Sequence, residues 1–139
     1  MLARKISYTD YNGNPREEVF YFNLSKAEIM EMELGVSGGM TQMLNMMIDQ
    51  EDTPGLARFY KNMILKAYGE KSLDGKRFVK NQEIRDAFEQ TDAYSELYME
   101  LVTSPEKASE FVKGIMPEQV GQAIEDHNKR ELSLTTVEG

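Results

Sequence analysis

The run from Phe20 to Glu28 most constrains the fold of this chain, because two hydrophobic patterns meet there. Before it, aromatic and β-branched residues alternate with polar ones, which is typical of a strand; after it, apolar residues recur at helical spacing. Ser25 and Glu28 have the spacing of a capping box, and Leu24 with Ile29 has that of the accompanying hydrophobic staple. The run therefore predicts that a strand stops at Asn23 and that the first helix begins directly afterwards.

Two alternating segments at residues 2–9 and 16–22 flank the pair Asn12-Gly13. Asn-Gly between two such segments predicts a β-hairpin, because both residues tolerate a positive φ. An isolated hairpin is only marginally stable in water. We therefore expect it to pack on the helices of its own chain; self-association through its edges is the alternative.

The first helix is predicted over Lys26–Leu34, with Gly35 as its terminator. Ile29, Met30 and Leu34 are expected to face inward. The best core helix is predicted between Thr53, as its cap, and Gly69, as its end.

The segment after that helix is polar, with a turn at 73–76 and an extended piece at 78–79 that allow a two-stranded excursion. Three capped helix starts follow, at Asn81, at Thr91 or Asp92, and at Ser104. A weak helix is predicted over 118–128 and a frayed tail over 129–139. The predicted fold is therefore mainly α, of the α+β type: one domain over 1–128, with a hairpin at 2–22 and a compact bundle of five to six short helices at 24–128.

The segment 40–48 holds four of the ten methionines of the chain. One apolar helical face is formed there by Met40, Met43, Leu44, Met47 and Ile48, whereas Met46 lies off it. Core packing is the simpler interpretation of this face. The functional interpretation is an adaptable groove for helical partners, because unbranched thioether side chains adjust to varied surfaces.

The formal net charge is −8, from 24 acidic and 16 basic residues. A polyanion repels phosphate backbones, so a nucleic acid is not expected as a partner. Asp92, Glu96 and Glu100 have i, i+4 spacing and line one helical face, where their mutual repulsion calls for a cation. A basic partner is one source of it; solvation of an ordinary soluble surface is the simpler interpretation.

No catalytic, cofactor or metal site is predicted. Cysteine is absent, and the one histidine, His127, lies in the polar tail without a nucleophile nearby. A zinc site needs several Cys or His ligands. The sequence also lacks a signal peptide and an apolar run of membrane-spanning length, so we expect a cytoplasmic protein that does not act on membranes and is not an enzyme.

Several segments in order along the first four-fifths of the chain carry a family resemblance. They are YTDYNG at 8–13, VFYFNLSKAE at 19–28, ILKAYGEKS at 64–72, DGKRF at 74–78 and FEQTDAYSEL at 88–97. The chain resembles the tail assembly chaperones of long-tailed bacteriophages and of prophages in low-GC Gram-positive bacteria. The match rests on general pattern, because the family has no catalytic motif.

The resemblance implies a helical protein of the host cytoplasm that binds the tape measure protein and keeps it soluble. It also implies recruitment of major tail (tube) subunits, after which the chaperone leaves, so it is not expected in the mature virion. Many such chaperones have a longer form made by ribosomal frameshifting, and a polar tail at 129–139 suits that junction. The methionine face and the acidic residues are candidate contacts from the physical interpretation, not from the family.

Two other functions fit the composition. If the chain is an acidic mimic of DNA that inhibits a host protein, it should bind a basic partner in a salt-sensitive way. If it is a structural head–tail or tail component, it should stay in purified phage particles.

Overall fold

The structure is a computed structural model that describes residues 1–117, and it begins with the predicted hairpin. Strands β1 (Leu2–Thr9) and β2 (Pro15–Phe22) pair antiparallel along their whole length. In the turn, the Asp10 carboxylate accepts hydrogen bonds from the backbone N–H groups of Asn12 and Asn14, both at 2.9 Å. Gly13 takes the positive φ, +82°, that the Asn-Gly signal requires.

Helices make up most of the remaining part of residues 1–117. They are α1 (Lys26–Leu34), α2 (Met40–Asp49), α3 (Thr53–Ala67), α4 (Gln82–Glu89), α5 (Asp92–Thr103) and α6 (Pro105–Ile115). The predicted fold class, an N-terminal hairpin followed by five to six short helices, is confirmed. The predicted helix over 118–128 and the predicted tail over 129–139 lie outside the described residues.

The predicted excursion after α3 forms two further strands, β3 (Tyr68–Lys71) and β4 (Phe78–Val79). They extend the hairpin into a four-stranded sheet of order β1-β2-β3-β4. The prediction that the helix ends at Gly69 is wrong, because Tyr68 already leaves the helix to pair with Phe22. Gly69 is buried in β3 instead, where an added Cβ would lie 2.7 Å from the Phe78 ring.

The capping box at the start of α1 is confirmed. Ser25 Oγ accepts a hydrogen bond from the Glu28 N–H at 3.1 Å, and the Glu28 carboxylate accepts one from the Ser25 N–H at 2.9 Å. The predicted cap of α3 is wrong by one residue: Asp52 accepts from the Gly55 N–H at 3.0 Å, and Thr53 is the first helical residue. Asp and Thr are both good caps, so their order alone did not decide between them.

The caps of the three later helices agree with the sequence. Asn81 caps α4, Thr91 rather than Asp92 caps α5, and Ser104 caps α6, with Pro105 in its first turn. Each side chain accepts a hydrogen bond from an N–H that the first helical turn leaves unpaired.

The core lies between the inner face of the sheet and helices α3, α4, α5 and α6. Phe22 is fully buried there, with its ring centroid 5.3 Å from that of Phe111 and 5.8 Å from that of Phe88. The neighbouring Leu24 is also buried, and its N–H donates to the Ile115 carbonyl at 2.8 Å. The sheet together with α3–α6 is called the body below.

Residues 26–49, which comprise α1, the glycine joint and α2, are called the arm. Neither helix of the arm has a buried residue. Ile29 packs on the core as predicted, but the prediction that Met30 and Leu34 face inward is wrong, because they are 58% and 79% exposed. Met32 faces the core instead. The apolar residues of α1 are spread around the helix, so their spacing alone does not select one inner face.

Candidate functional site

A shallow groove, open to solvent, lies between the arm and α3. Its volume is about 660 Å³. Most of the lining is apolar and comes from four successive parts of the chain: Met32 on α1, Val36 in the joint, Met40 and Met43 on α2, and Phe59, Met63 and Leu65 on α3. A groove between helices with this lining suits the apolar face of another helix.

Positive charge lies along one side of the groove. Lys66 of α3 and Arg85 of α4 both line it, and neither takes part in an ion pair within residues 1–117. The Arg85 Nε atom is buried, and none of the described residues accepts a hydrogen bond from it. Glu31 of α1 also lines the groove but pairs with neither cation.

Lys80 lies close to these two cations. Its Nζ donates to the Asn23 carbonyl at 2.6 Å and pairs with Glu28 at 2.8 Å. Burial lowers the pKa of Lys80, Glu28 opposes this, and the charges of Arg85 and Lys66 lower it further. Glu28 therefore compensates Lys80, while the charges of Lys66 and Arg85 remain directed at the groove.

The acidic residues of α5 lie beside β1, away from the groove. Glu100 is paired within the chain, with Arg4 at 2.6 Å and with Lys107 at 3.0 Å. Burial works to raise the pKa of Glu100, but hydrogen bonds from Arg4 and Lys107 outweigh it, so the pKa lies below its ordinary value. Asp92 and Glu96 line an open hollow with Ser7 of β1 and have no ion pair within residues 1–117.

The chain matches one known protein family over nearly all of its length. The profile of a family described as phage tail assembly chaperone matches residues 1–138, which is almost the entire chain. The chain belongs to the phage tail assembly chaperone family. No curated protein and no solved structure matches it.

Family membership confirms the resemblance and gives the protein a role in the assembly of phage tails. This family is not known for enzymatic activity. The Gram-positive type of host stays a prediction. Within residues 1–117, none of the helices combines the length and the apolar character that crossing a membrane requires. His127 lies outside the described residues.

In this chaperone the five residues of the predicted methionine face separate into three environments. Met40 and Met43 line the groove and are also half-buried against the core. Leu44 and Met47 are half-buried against the core, as the packing interpretation expected. Ile48 is 53% exposed, beside the similarly exposed Met46.

Sequence reasoning missed the groove residues that come from other elements. Met32 lies on a short helix whose apolar residues do not mark one face, and Met63 and Leu65 lie within the helix that was predicted as the best core helix. Arg85 belongs to no motif that would mark it in the sequence. The position of α4 relative to α3 brings it to the groove, and no local pattern encodes that position.

Proposed function

We propose that the chaperone binds the tape measure protein in the groove between the arm and α3 and keeps it soluble in the host cytoplasm. The observation that carries this proposal is a set of methionines from three helices facing one open groove. Methionine accommodates different apolar partners at little cost in strain, and such grooves bind many related helical segments. A tape measure protein presents long apolar helical faces before the tail tube encloses it.

The construction of the arm suits reversible binding. Residues that are only half-buried against the core can change rotamer or shift without opening it, because the buried side chains lie in the body. Segments with few fully buried contacts open at low free-energy cost. The groove therefore releases the tape measure helix when tube subunits compete for that helix.

We further propose that the acidic side of α5 recruits major tail (tube) subunits. Asp92 and Glu96 offer negative charge that no ion pair within residues 1–117 compensates, and this hollow shares no lining residue with the groove. The two partners therefore have separate contact surfaces. Glu100 supports this face by holding α5 on β1 through Arg4.

Co-expression with the tape measure gene of the same locus tests the groove. The double variant Met40→Ser, Met43→Ser removes two lining side chains, and we expect most of the tape measure protein to become insoluble. The control is Met46→Ser, Met99→Ser, which changes two exposed methionines outside the groove. If the groove variant folds and still keeps the tape measure protein soluble, this assignment is wrong.

Purified virions test the proposed role in assembly against a structural one. We expect mass spectrometry to find the tape measure and tube proteins but not the chaperone. Retention of the chaperone in stoichiometric amounts would instead support a tail component. Binding of purified chaperone to a basic host protein, with no effect on the tape measure protein, would support the acidic mimic.

A further inference from the structure

The cations beside the groove set a requirement on its occupant. We propose that the groove takes an amphipathic helix that carries an acidic side chain next to its apolar stripe, and that this carboxylate pairs with Arg85 and Lys66. This inference rests on the proposed function and adds the charge pattern of the partner helix to it.

Arg85 lines the groove without a charge partner among residues 1–117. Its Nε lies buried at the groove with no hydrogen-bond partner among residues 1–117, and no ion pair compensates its charge there. A buried donor without a partner costs free energy, and a guanidinium group matches a carboxylate in geometry as well as in charge. A carboxylate supplied by the occupant compensates the charge of this guanidinium group.

The charge beside the groove is opposite in sign to the net charge of the chain. The net charge is −8, yet the groove side of α3 and α4 presents two cations that no acidic side chain of residues 1–117 pairs with. Glu28 does not serve them, because it is held by Lys80 at 2.8 Å and by the capping box. The local charge therefore favours an acidic occupant despite the overall acidity of the chaperone.

Apolar and charged residues follow one another along the groove side of α3. On α3 the groove is lined from Phe59 to Lys66, a span of about 10 Å, or roughly two helical turns. Phe59 and Met63 are apolar, and Lys66 follows one turn later on the same side. A partner helix lying along α3 meets apolar side chains first and the cations at one end.

Binding of two synthetic helices tests the inference. Both are about five turns long with the same leucine stripe; one has glutamates beside the stripe and the other has glutamines. We expect the glutamate helix to bind about ten-fold more tightly by fluorescence anisotropy, with a preference that weakens as salt is added. Arg85→Gln and Lys66→Gln should each reduce this preference, whereas Arg58→Gln, on the exposed surface of α3, should retain it.

A charge reversal makes the test specific. Arg85→Glu should bind a helix with lysines beside the stripe better than the glutamate helix, provided that thermal unfolding shows an intact fold. Equal affinity of the unaltered chaperone for the glutamate and glutamine helices overturns the charge inference. In that case, if the double variant Met40→Ser, Met43→Ser no longer binds either synthetic helix, the groove is still supported as the binding site. If that variant binds both synthetic helices as before, the proposed function is wrong as well as the charge inference.

Discussion

The body and the arm of this chaperone bury their apolar residues to different degrees. In the body, Phe22, Phe111 and Leu97 have no exposed surface, and aromatic rings pack around Phe22. In the arm, Met40 and Met43 are half-buried, and Leu34 is largely exposed. The body therefore holds the stability of the fold, and the arm has apolar surface left for a partner.

This difference shows why methionine is common in the arm. In the core, a rigid side chain is stabilised by close packing against fixed neighbours. At an open groove, an unbranched methionine side chain keeps most of its packing energy when the partner side chain changes. The same residue class thus stabilises the fold in one region and remains available for binding in the other.

The largest expected effect is a cavity in the body. Phe111→Ala removes a fully buried ring and should lower the free energy of unfolding by about 3–5 kcal/mol in urea denaturation. Met43→Ala in the arm should cost only about 1 kcal/mol, because its side chain is already part-exposed. Similar losses for the two variants would break the distinction between body and arm.

A smaller effect is expected at the junction of α3 with the sheet, which belongs to the body. The Cβ of Gly69→Ala would lie 2.7 Å from Phe78 and 2.9 Å from the Val79 carbonyl oxygen, so β4 must shift. We expect a loss of about 1–3 kcal/mol in thermal unfolding. Gly75→Ala at the exposed β3–β4 turn is the control. Its added Cβ has no neighbour within 4 Å, so any loss of stability there measures the strain of a positive φ alone.

Ser25 tests the connection between the arm and the body. Ser25→Ala removes the capping box of α1 and should cost about 1 kcal/mol. Ser109→Ala, on the exposed surface of α6, serves as a control and should change stability by less than about 0.5 kcal/mol. Hydrogen exchange should show faster opening of α1 than of α3 in the Ser25 variant; an equal increase in both would mean that the arm and body unfold together.

The smallest expected effect comes from the ion pair between α5 and β1. The pKa of Glu100 is lowered in the folded state, so its contribution is present above its unfolded pKa and is lost as the pH falls through the folded pKa. Glu100→Gln should therefore cost about 0.5–1 kcal/mol at neutral pH, in the range of partly exposed pairs. Unfolding measured from pH 7 to pH 3 should show that this cost disappears in acid; a cost independent of pH would mean that the ion pair is not its source.

Local signals in the sequence determined most of the elements of residues 1–117. The Asn-Gly turn, the Ser25–Glu28 capping box and the caps at Asn81, Thr91 and Ser104 act within a few residues, so they are readable without a structure. The i, i+4 spacing of the acidic residues on α5 was also visible in the sequence. The ion pair of Glu100 was not, because its partner Arg4 lies 96 positions away in the chain.

Long-range packing decided the rest. Pairing of Tyr68 with Phe22 ended α3 earlier than its apolar stripe indicated. The docking of the arm on α3 divided one helical methionine face into groove, half-buried and exposed positions, and the placement of α4 brought Arg85 to that groove. Helical periodicity specifies which residues share a face, whereas the neighbour that covers the face depends on contacts between distant parts of the chain.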